Sequence, residues 1–188
     1  MDLIKPSLIL SLLLAWCWTT PVFAADTAAG EQKAATCSGC HGPQGKSSNA
    51  QWPNLAAQQS IYLINQLKAF KSGSRKNPLM QPLAASLSEE DINNLAAYFS
   101  SQQAAKAGGD PTLAKSGQSK ASICLGCHGP SAEGNGQFPR LAGQHPDYLL
   151  QQLKNFKQGS REGGPMQAIA ASLSEEDMKE LAAYFGSL

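Results

Sequence analysis

The segment Cys37-Ser38-Gly39-Cys40-His41 recurs 87 residues later as Cys124-Leu125-Gly126-Cys127-His128. The similarity continues downstream of both motifs, where residues 66–75 return at 152–161 and residues 84–91 return unchanged at 170–177. Self-similarity at this distance indicates a duplicated domain, because two copies are too few for a solenoid. The repeat therefore predicts two small domains of one design.

The composition is that of a globular protein. The 188 residues are 42% hydrophobic and 15% charged, with a formal net charge of +1, and the length is enough for one ordinary domain or two small ones. No run of like charges is present, which argues against a nucleic-acid groove or a basic membrane-binding patch. The charge balance therefore identifies no partner.

The first 24 residues have the pattern of a secretory signal peptide. Lys5 precedes an apolar stretch from Ser7 to Trp18, and small residues precede a cleavage point after Ala24. The apolar stretch is shorter than the roughly 20 residues that span a membrane, and Cys17 would leave with it. We predict a signal peptide, a first domain, a linker and a second domain at residues 1–24, 25–104, 105–115 and 116–188.

Each domain is predicted to be all-α, because its apolar residues recur at helical spacing and no segment alternates as a strand would. We expect a short helix before each cysteine motif, a middle helix at about 60–71 and 148–157, and a last helix. The last helix begins with a capping pair, Ser88 with Asp91, or Ser174 with Asp177. Domains of about 80 residues are marginally stable alone, so we expect a bound group to complete each core.

The spacing C-x-x-C-H meets the requirements of covalent haem attachment. Two cysteines three residues apart share a face of a helical turn, so their thiols reach the two vinyl groups while the next residue presents an imidazole to iron. Two C-x-x-C pairs could instead bind one zinc ion or act as redox disulfides, but neither explains the His after both pairs. We predict two haem c groups, bound by Cys37, Cys40 and His41 and by Cys124, Cys127 and His128.

The sixth iron ligands are predicted by elimination among the methionines. Met1 lies in the signal peptide, and Met178 aligns with Ile92 on an apolar helix face, where a core role is expected. Met80 and Met166 align with each other in loops whose Pro and Gly residues can direct a side chain inwards. A thioether stabilises ferrous iron, so His/Met ligation implies a comparatively high reduction potential.

One further histidine remains in the mature chain. His145 aligns with Gln59 and lies at the start of the middle helix of the second domain. A surface or capping role is therefore expected for it rather than iron ligation.

The signal peptide, the two C-x-x-C-H units and the paired Met loops together resemble the cytochrome c4 family of dihaem cytochromes, over the whole mature chain. The resemblance implies a cytochrome c fold in each half, with the first and last helices crossing closely at Gly30 and Gly117. It also implies that the carbonyls of Pro53 and Pro139 accept a hydrogen bond from the axial histidine, which fixes the ring and tunes its basicity.

The resemblance also concerns the haem surroundings. It implies that Leu55 and Leu141 pack against haem, and that the two halves meet with their haem propionate edges together. Arg75 and Arg161 are then either propionate partners or ordinary solvated side chains.

The function implied by the resemblance is that of a periplasmic electron carrier with no substrate-turnover site of its own. It would carry electrons from a quinol-oxidising complex to a terminal oxidase or similar acceptor. Its partners would be redox proteins and no nucleic acid, and peripheral membrane association stays open. One alternative is the cytochrome subunit of a larger oxidoreductase, such as flavocytochrome sulfide dehydrogenase. A dihaem peroxidase with an open iron position is disfavoured by the two matched Met loops.

Overall fold

The computed structural model describes residues 25–188, so the predicted signal peptide and Cys17 lie outside the described residues. Regular structure in the described part consists of α-helices, one 3-10 turn and a single β-bridge between Asn135 and Phe138. The predicted all-α class is confirmed. Among the described helices, none has the length and apolar character needed to cross a membrane.

Five helices form each half in the same order. The first half contains α1 (Thr27–Ala34), α2 (Ser38–His41), α3 (Ser60–Ser72), α4 (Met80–Ala85) and α5 (Glu89–Ser100). The second half contains α6 (Pro111–Lys120), α7 (Ser122–His128), α8 (Pro146–Lys157), α9 (Pro165–Ser172) and α10 (Glu175–Ser187).

The two short helices that begin near the methionines were not predicted. Met80 is the first residue of α4 and Met166 the second residue of α9, so placing both in loops was wrong. In the first half, the Asn77 side chain accepts hydrogen bonds from the Leu79 and Met80 backbone N–H groups at 3.0 and 2.9 Å. In the second, the helix begins with a proline, which has no N–H to satisfy. The Asn77 bonds in the first half and the leading proline in the second therefore favour a helix start at or next to each methionine.

The first and last helices of each half pack across one another, α1 on α5 and α6 on α10. Glycine permits this approach, because a Cβ atom on Gly30 would lie 2.1 Å from the Asn94 carbonyl oxygen. A Cβ atom on Gly117 would lie at the same distance from the Glu180 carbonyl oxygen. The crossing places the cysteine motif, which follows α1 or α6, beside the buried face of the last helix.

A compact apolar cluster lies in each half. In the first, Leu63 from α3 packs with Ile92, Leu95 and Phe99 from α5. In the second, Leu149 from α8 packs with Leu181 and Phe185 from α10, in a cluster that also contains several alanines. Met178 is buried on α10, at the core position predicted for it.

Ser/Asp capping boxes begin the last helix in both halves, as the sequence predicts. Ser88 accepts from the Asp91 N–H at 3.0 Å while Asp91 accepts from the Ser88 N–H at 2.9 Å. The pair Ser174 and Asp177 repeats both bonds at 3.0 and 2.9 Å. Each box satisfies N–H groups that have no partner inside the helix.

The segment between the halves is packed on the second half rather than free. The Ala107 and Gly108 N–H groups donate to the Gly143 and Gly186 carbonyls at 3.1 and 3.0 Å. Asp110 then caps α6 by accepting from two backbone N–H groups, and α6 begins at Pro111. The last five residues of the predicted linker at 105–115 are therefore helical, because this cap and a first-turn proline start the helix early.

Candidate haem sites

Both cysteine motifs lie at helices that follow the first helix of their half. Cys37 is the N-cap residue of α2, and α7 contains the whole second motif. None of the four cysteines in residues 25–188 forms a disulfide: Cys37 and Cys124 are half-buried and packed against the core clusters, whereas Cys40 and Cys127 are exposed. Burial raises the pKa of the Cys37 and Cys124 thiols. Each motif therefore presents one inner and one outer thiol from a helical turn.

The two motifs do not converge on a shared ion site. Within residues 25–188, no three His, Cys, Asp or Glu side chains form a group that could hold a metal ion. The two C-x-x-C pairs thus occupy separate halves of the molecule. One zinc ion held by four cysteines, the alternative considered from the sequence, does not fit this arrangement.

His41 and His128 are buried and held by one backbone carbonyl each. The His41 Nδ1–H donates to the Pro53 oxygen at 2.9 Å, and the His128 Nδ1–H donates to the Pro139 oxygen at 2.8 Å. Since a carbonyl oxygen can only accept, Nδ1 carries the proton in both rings. Burial lowers the pKa of both imidazoles, which favours the neutral form. Each ring therefore keeps the Nε2 lone pair free for a metal.

Met80 and Met166 are half-buried at corresponding places in the two halves. The helix that carries Met80 packs against α3, and the helix that carries Met166 packs against α8. Leu55 and Leu141 follow the prolines, and both are partly buried against the core cluster of their half. The candidate methionine ligand and the neighbouring leucine therefore occupy equivalent positions in the two halves.

Arg75 and Arg161 lie at the contact between the halves, and each donates hydrogen bonds to residues of both halves. The Arg75 guanidinium donates to Gln66, and across the contact to the Tyr148 hydroxyl at 3.1 Å and Gln152 at 3.0 Å. Arg161 repeats this pattern with Gln152, the Tyr62 hydroxyl and Gln66, at distances from 2.7 to 3.0 Å. Arg161 is only 8% exposed, so the solvated alternative is wrong for it.

The arginine pair bears on whether the site fits a haem with its anionic propionates. All of the hydrogen-bond acceptors named above are neutral, so two guanidinium charges share this contact without a carboxylate among them. The imidazoles, thiols and arginines fit a haem c. Its iron would bind an imidazole Nε2, its vinyl groups would bond the cysteine thiols, and its propionates would be accommodated by the arginine pair, in which the buried Arg161 Nε has no hydrogen-bond partner among the described residues.

The expectation of a surface or capping role for His145 is wrong. The residue is 9% exposed, and its side chain makes no cap bond with α8. The ring of His145 instead reaches the other half. Its Nε2 contacts the Ser47 carbonyl oxygen at 3.0 Å.

Two buried glutamines, Gln58 and Gln144, were not predicted as functional residues from the sequence. Each contacts the residue directly after the proline of the opposite half, Arg140 or Asn54. The repeat places a glutamine at the same position in both halves, and this could have identified the pair. Their burial at a contact between domains cannot be predicted from local periodicity.

Comparison with known proteins follows the same division into halves. The cytochrome c family model matches residues 27–103 and again residues 114–188. Cytochrome c4 from Pseudomonas aeruginosa is 38% identical over 197 residues, covering 96% of this chain and 98% of that protein. The crystal structure of reduced recombinant cytochrome c4 from Pseudomonas stutzeri matches with a TM-score of 0.83 at 37% identity, covering 88% of this chain and all of the other.

The duplicated fold and its paired sites define a c-type cytochrome that binds two covalently attached haem c groups. The chain belongs to the cytochrome c4 family. It is accordingly a dihaem electron-transfer protein, which confirms the family, fold class and cofactors predicted from the sequence.

Two further similarities are to proteins whose names refer to thiosulfate dehydrogenase. A thiosulfate dehydrogenase electron acceptor from Stutzerimonas stutzeri is 37% identical, covering 82% of this chain and 80% of that protein. A thiosulfate dehydrogenase structure from Marichromatium purpuratum matches with a TM-score of 0.80 at 32% identity, covering 86% of this chain but only 40% of the longer one.

Proposed function

We propose that this protein is a periplasmic carrier that accepts electrons from a quinol-oxidising complex and delivers them to a terminal oxidase or similar acceptor. It has no substrate-turnover site of its own in this proposal. The signal peptide at residues 1–24 would export it. Other redox proteins would be its partners, with peripheral association at the membrane through one of them.

The proposed haem attachment is the same in both halves. Cys37 and Cys40 form the thioether bonds of the first haem, and Cys124 and Cys127 those of the second. When bound, each haem supplies an iron that cycles between ferric and ferrous states by one electron. The protein supplies the thiols, the axial ligands and the surrounding charges.

His41 and His128 are the proposed proximal ligands, and the paired histidine-to-proline hydrogen bonds are the observation that carries the proposal. Each bond leaves Nε2 open, fixes the plane of the ring and raises its basicity as an iron ligand. Two buried imidazoles held alike, each directly after a C-x-x-C pair, match what two equivalent haem sites require.

Met80 and Met166 are the proposed distal ligands. A carrier benefits from two strong axial ligands, because a six-coordinate iron offers no open position for peroxide or another small substrate. Thioether ligation also favours the ferrous state and raises the potential towards that of an oxidase donor. The repeated position of both side chains supports equal coordination in the two halves.

The experiment that tests the carrier is a redox titration of the holoprotein, followed in the visible range and at the near-infrared sulfur-to-iron band of the oxidised form. We expect two haems per chain, both with the band and both at high potential. One haem without the band at low potential would contradict the carrier and favour an enzyme.

Binding of carbon monoxide to the reduced protein at neutral pH separates carrier from peroxidase. Two Met-ligated irons should leave carbon monoxide without a stoichiometric site. Binding of one equivalent per chain would instead identify an open or displaceable position.

A second candidate function is that of a subunit or dedicated acceptor of a larger oxidoreductase. The similarity to a thiosulfate dehydrogenase electron acceptor favours this candidate over the flavocytochrome example. Affinity purification from native membranes and soluble extract tests it: stable association with a dehydrogenase would support the subunit. A free protein that exchanges electrons rapidly with an oxidase supports the carrier.

A further inference from the structure

Two glutamines cross the contact between the halves at equivalent positions. Gln58 lies two residues before the start of α3, and Gln144 lies two residues before the start of α8. Both side chains are almost completely buried, with 5% of each residue exposed. Their equivalent placement indicates that each amide has the same role towards the opposite half.

Each glutamine amide makes a paired contact with one backbone residue of the other half. Gln144 Oε1 accepts from the Asn54 N–H at 2.7 Å, and its Nε2 donates to the Asn54 carbonyl at 2.9 Å. Gln58 Oε1 accepts from the Arg140 N–H at 2.7 Å, and its Nε2 donates to the Arg140 carbonyl at 3.0 Å. Two bonds per amide fix its orientation.

The N–H groups that the glutamines hold belong to the peptides that hold the histidines. The Asn54 N–H and the Pro53 carbonyl are the two ends of one peptide group, and that carbonyl accepts from His41 at 2.9 Å. The Arg140 N–H and the Pro139 carbonyl are likewise one peptide group, and His128 donates to it at 2.8 Å. Each histidine is thus two hydrogen bonds away from a glutamine of the opposite half.

Hydrogen bonds in such a series reinforce one another. A peptide whose N–H donates to a strong acceptor carries more negative charge on its carbonyl oxygen, especially in a buried site. That oxygen attracts the Nδ1 proton more strongly, which makes the imidazole a better electron donor through Nε2. A better donor stabilises ferric relative to ferrous iron, so the glutamine oxygen should lower the reduction potential.

We propose that Gln144 and Gln58 are positioning residues that lower the reduction potential of the haem in the opposite half, Gln144 through His41 and Gln58 through His128. The inference rests on the proposed axial roles of the two histidines. It assigns the contact between the halves a part in setting the driving force for electron transfer.

The neighbouring residues provide a matched control. Gln59 Nε2 donates across the same contact to the Glu133 carbonyl at 2.9 Å, at the repeat position of His145. That bond reaches neither proline peptide. The Gln59 backbone N–H also donates to Gln58 Oε1 at 3.0 Å, and Gln59→Leu keeps that bond. The Glu133 peptide in turn bonds the His128 backbone carbonyl through the Gly134 N–H, not the His128 ring. Gln59→Leu therefore removes a side-chain bond between the halves and leaves both series that end at a histidine ring in place.

The test uses full-length holoprotein in which one methionine ligand is removed, so that the near-infrared band reports on one haem. In a Met166→Ala background the band reports on the first haem, and in a Met80→Ala background on the second. Gln144→Leu should make the first haem about threefold more reduced at its original midpoint, equal to about 28 mV at 59 mV per tenfold change. Gln58→Leu should do the same to the second haem only.

The crossed pattern is the expected result, and Gln59→Leu should shift neither haem. Equal shifts in both haems, a shift in the haem of the mutated half, or no shift with Gln144→Leu would overturn the proposal. A failure of the methionine assignment is distinguishable, because the background variants would then retain both bands before any glutamine is changed.

A second variant covers the case in which leucine prevents folding. Gln144→Glu retains an oxygen acceptor for the Asn54 N–H, so the first haem should keep its potential or fall below it. In the reduced protein, the His41 Nδ1–H proton resonance should likewise stay or move downfield as its hydrogen bond is kept or strengthened. A raised potential with Gln144→Glu would contradict the role of the amide oxygen.

Discussion

At the scale of single residues, one hydrogen bond prepares each candidate axial histidine. The proton on Nδ1 of His41 and His128 is fixed by a proline carbonyl, and burial keeps each ring neutral by lowering its pKa. An imidazole that is neutral, oriented and open at Nε2 needs no rearrangement to bind iron. The hydrogen bond and the burial thus hold each ring in a state that can bind a metal at Nε2.

The methionines can be tested one at a time. Met80→Ala and Met166→Ala should each abolish the near-infrared band of one haem and lower its potential, since a thioether that stabilises ferrous iron is lost. Spectroscopic redox titration of each variant measures both effects. Met178→Leu is the control: it changes a buried thioether in α10, should keep both bands, and should cost less than about 1.5 kcal/mol. A variant that retains both bands would exclude its methionine as a ligand.

At the scale of elements, the close crossing of first and last helices organises each half. The crossing depends on glycine, since the helix backbones approach to a distance at which no Cβ atom fits. It also brings α6 beside the first two turns of α10, where Lys120 contacts the Asp177 and Glu180 carboxylates. The capping box, the helix crossing and the ion pairs of the second half thus lie close together, near the start of α10.

The close helix crossing predicts that adding one methyl group at Gly117 lowers the stability of the protein considerably. Gly117→Ala would place Cβ against the Glu180 carbonyl, so the helices must separate, and we expect the free energy of unfolding to fall by at least about 2 kcal/mol. Denaturant unfolding of the holoprotein measures it. Ser119→Ala, on the exposed face of α6, should stay within about 0.5 kcal/mol of wild type. Equal stability of the two variants would contradict a tight crossing.

The first turn of α10 predicts a pH dependence. Hydrogen bonds from Lys120 and Ser174 hold the pKa of the Asp177 carboxyl well below its ordinary value. The unfolded chain therefore binds the proton first, so the contribution is complete above about pH 5 and is lost progressively as the pH falls below the ordinary aspartate range. Asp177→Asn should reduce the fall in unfolding free energy between pH 5 and pH 3.

Unfolding curves at both pH values, with Glu176→Gln as the control for loss of one negative charge in the same turn, measure this difference. An identical acid dependence in wild type and Asp177→Asn would show that this carboxyl does not contribute.

At the scale of the whole molecule, the halves are joined by reciprocal polar contacts. Arg75 bonds Tyr148 while Arg161 bonds Tyr62, and the glutamine amides hold backbone in the same reciprocal way. Buried polar groups must be satisfied, so partners on one half specify the position of the other. The contact therefore fixes orientation more strictly than apolar packing of similar area would.

Removing one arginine should weaken this arrangement. Arg161→Ala removes the hydrogen bond to the Tyr62 hydroxyl and leaves Gln66 with Arg75 as its remaining partner. We expect a loss of about 2 kcal/mol in unfolding free energy. Lys76→Ala, an exposed cation beside Arg75 in the chain, provides the control for charge and should change stability little. Small-angle scattering should also show a larger radius of gyration for Arg161→Ala if the halves separate.

The sequence by itself determined what depends on local spacing. The C-x-x-C-H motifs identified two haem c groups, the repeat identified two domains, and apolar periodicity with Ser/Asp pairs identified the last helices. The motifs and the helix signals are set by residues within a few positions of one another, and the repeat is visible as direct identity between two segments. No knowledge of the fold is needed to read any of them. The axial methionines remain a prediction of the same kind.

Only the tertiary structure decided which residues meet across the two halves. It placed His145, for which a surface or capping role was expected, in a buried contact, and it excluded the solvated alternative for Arg161. It also joined Gln58 and Gln144 to the peptides that hold the histidines. These partners are 73 to 99 residues apart in the chain. Local periodicity carries no information at that separation, because the packing of whole domains brings such groups together and decides which of them lose their contact with water.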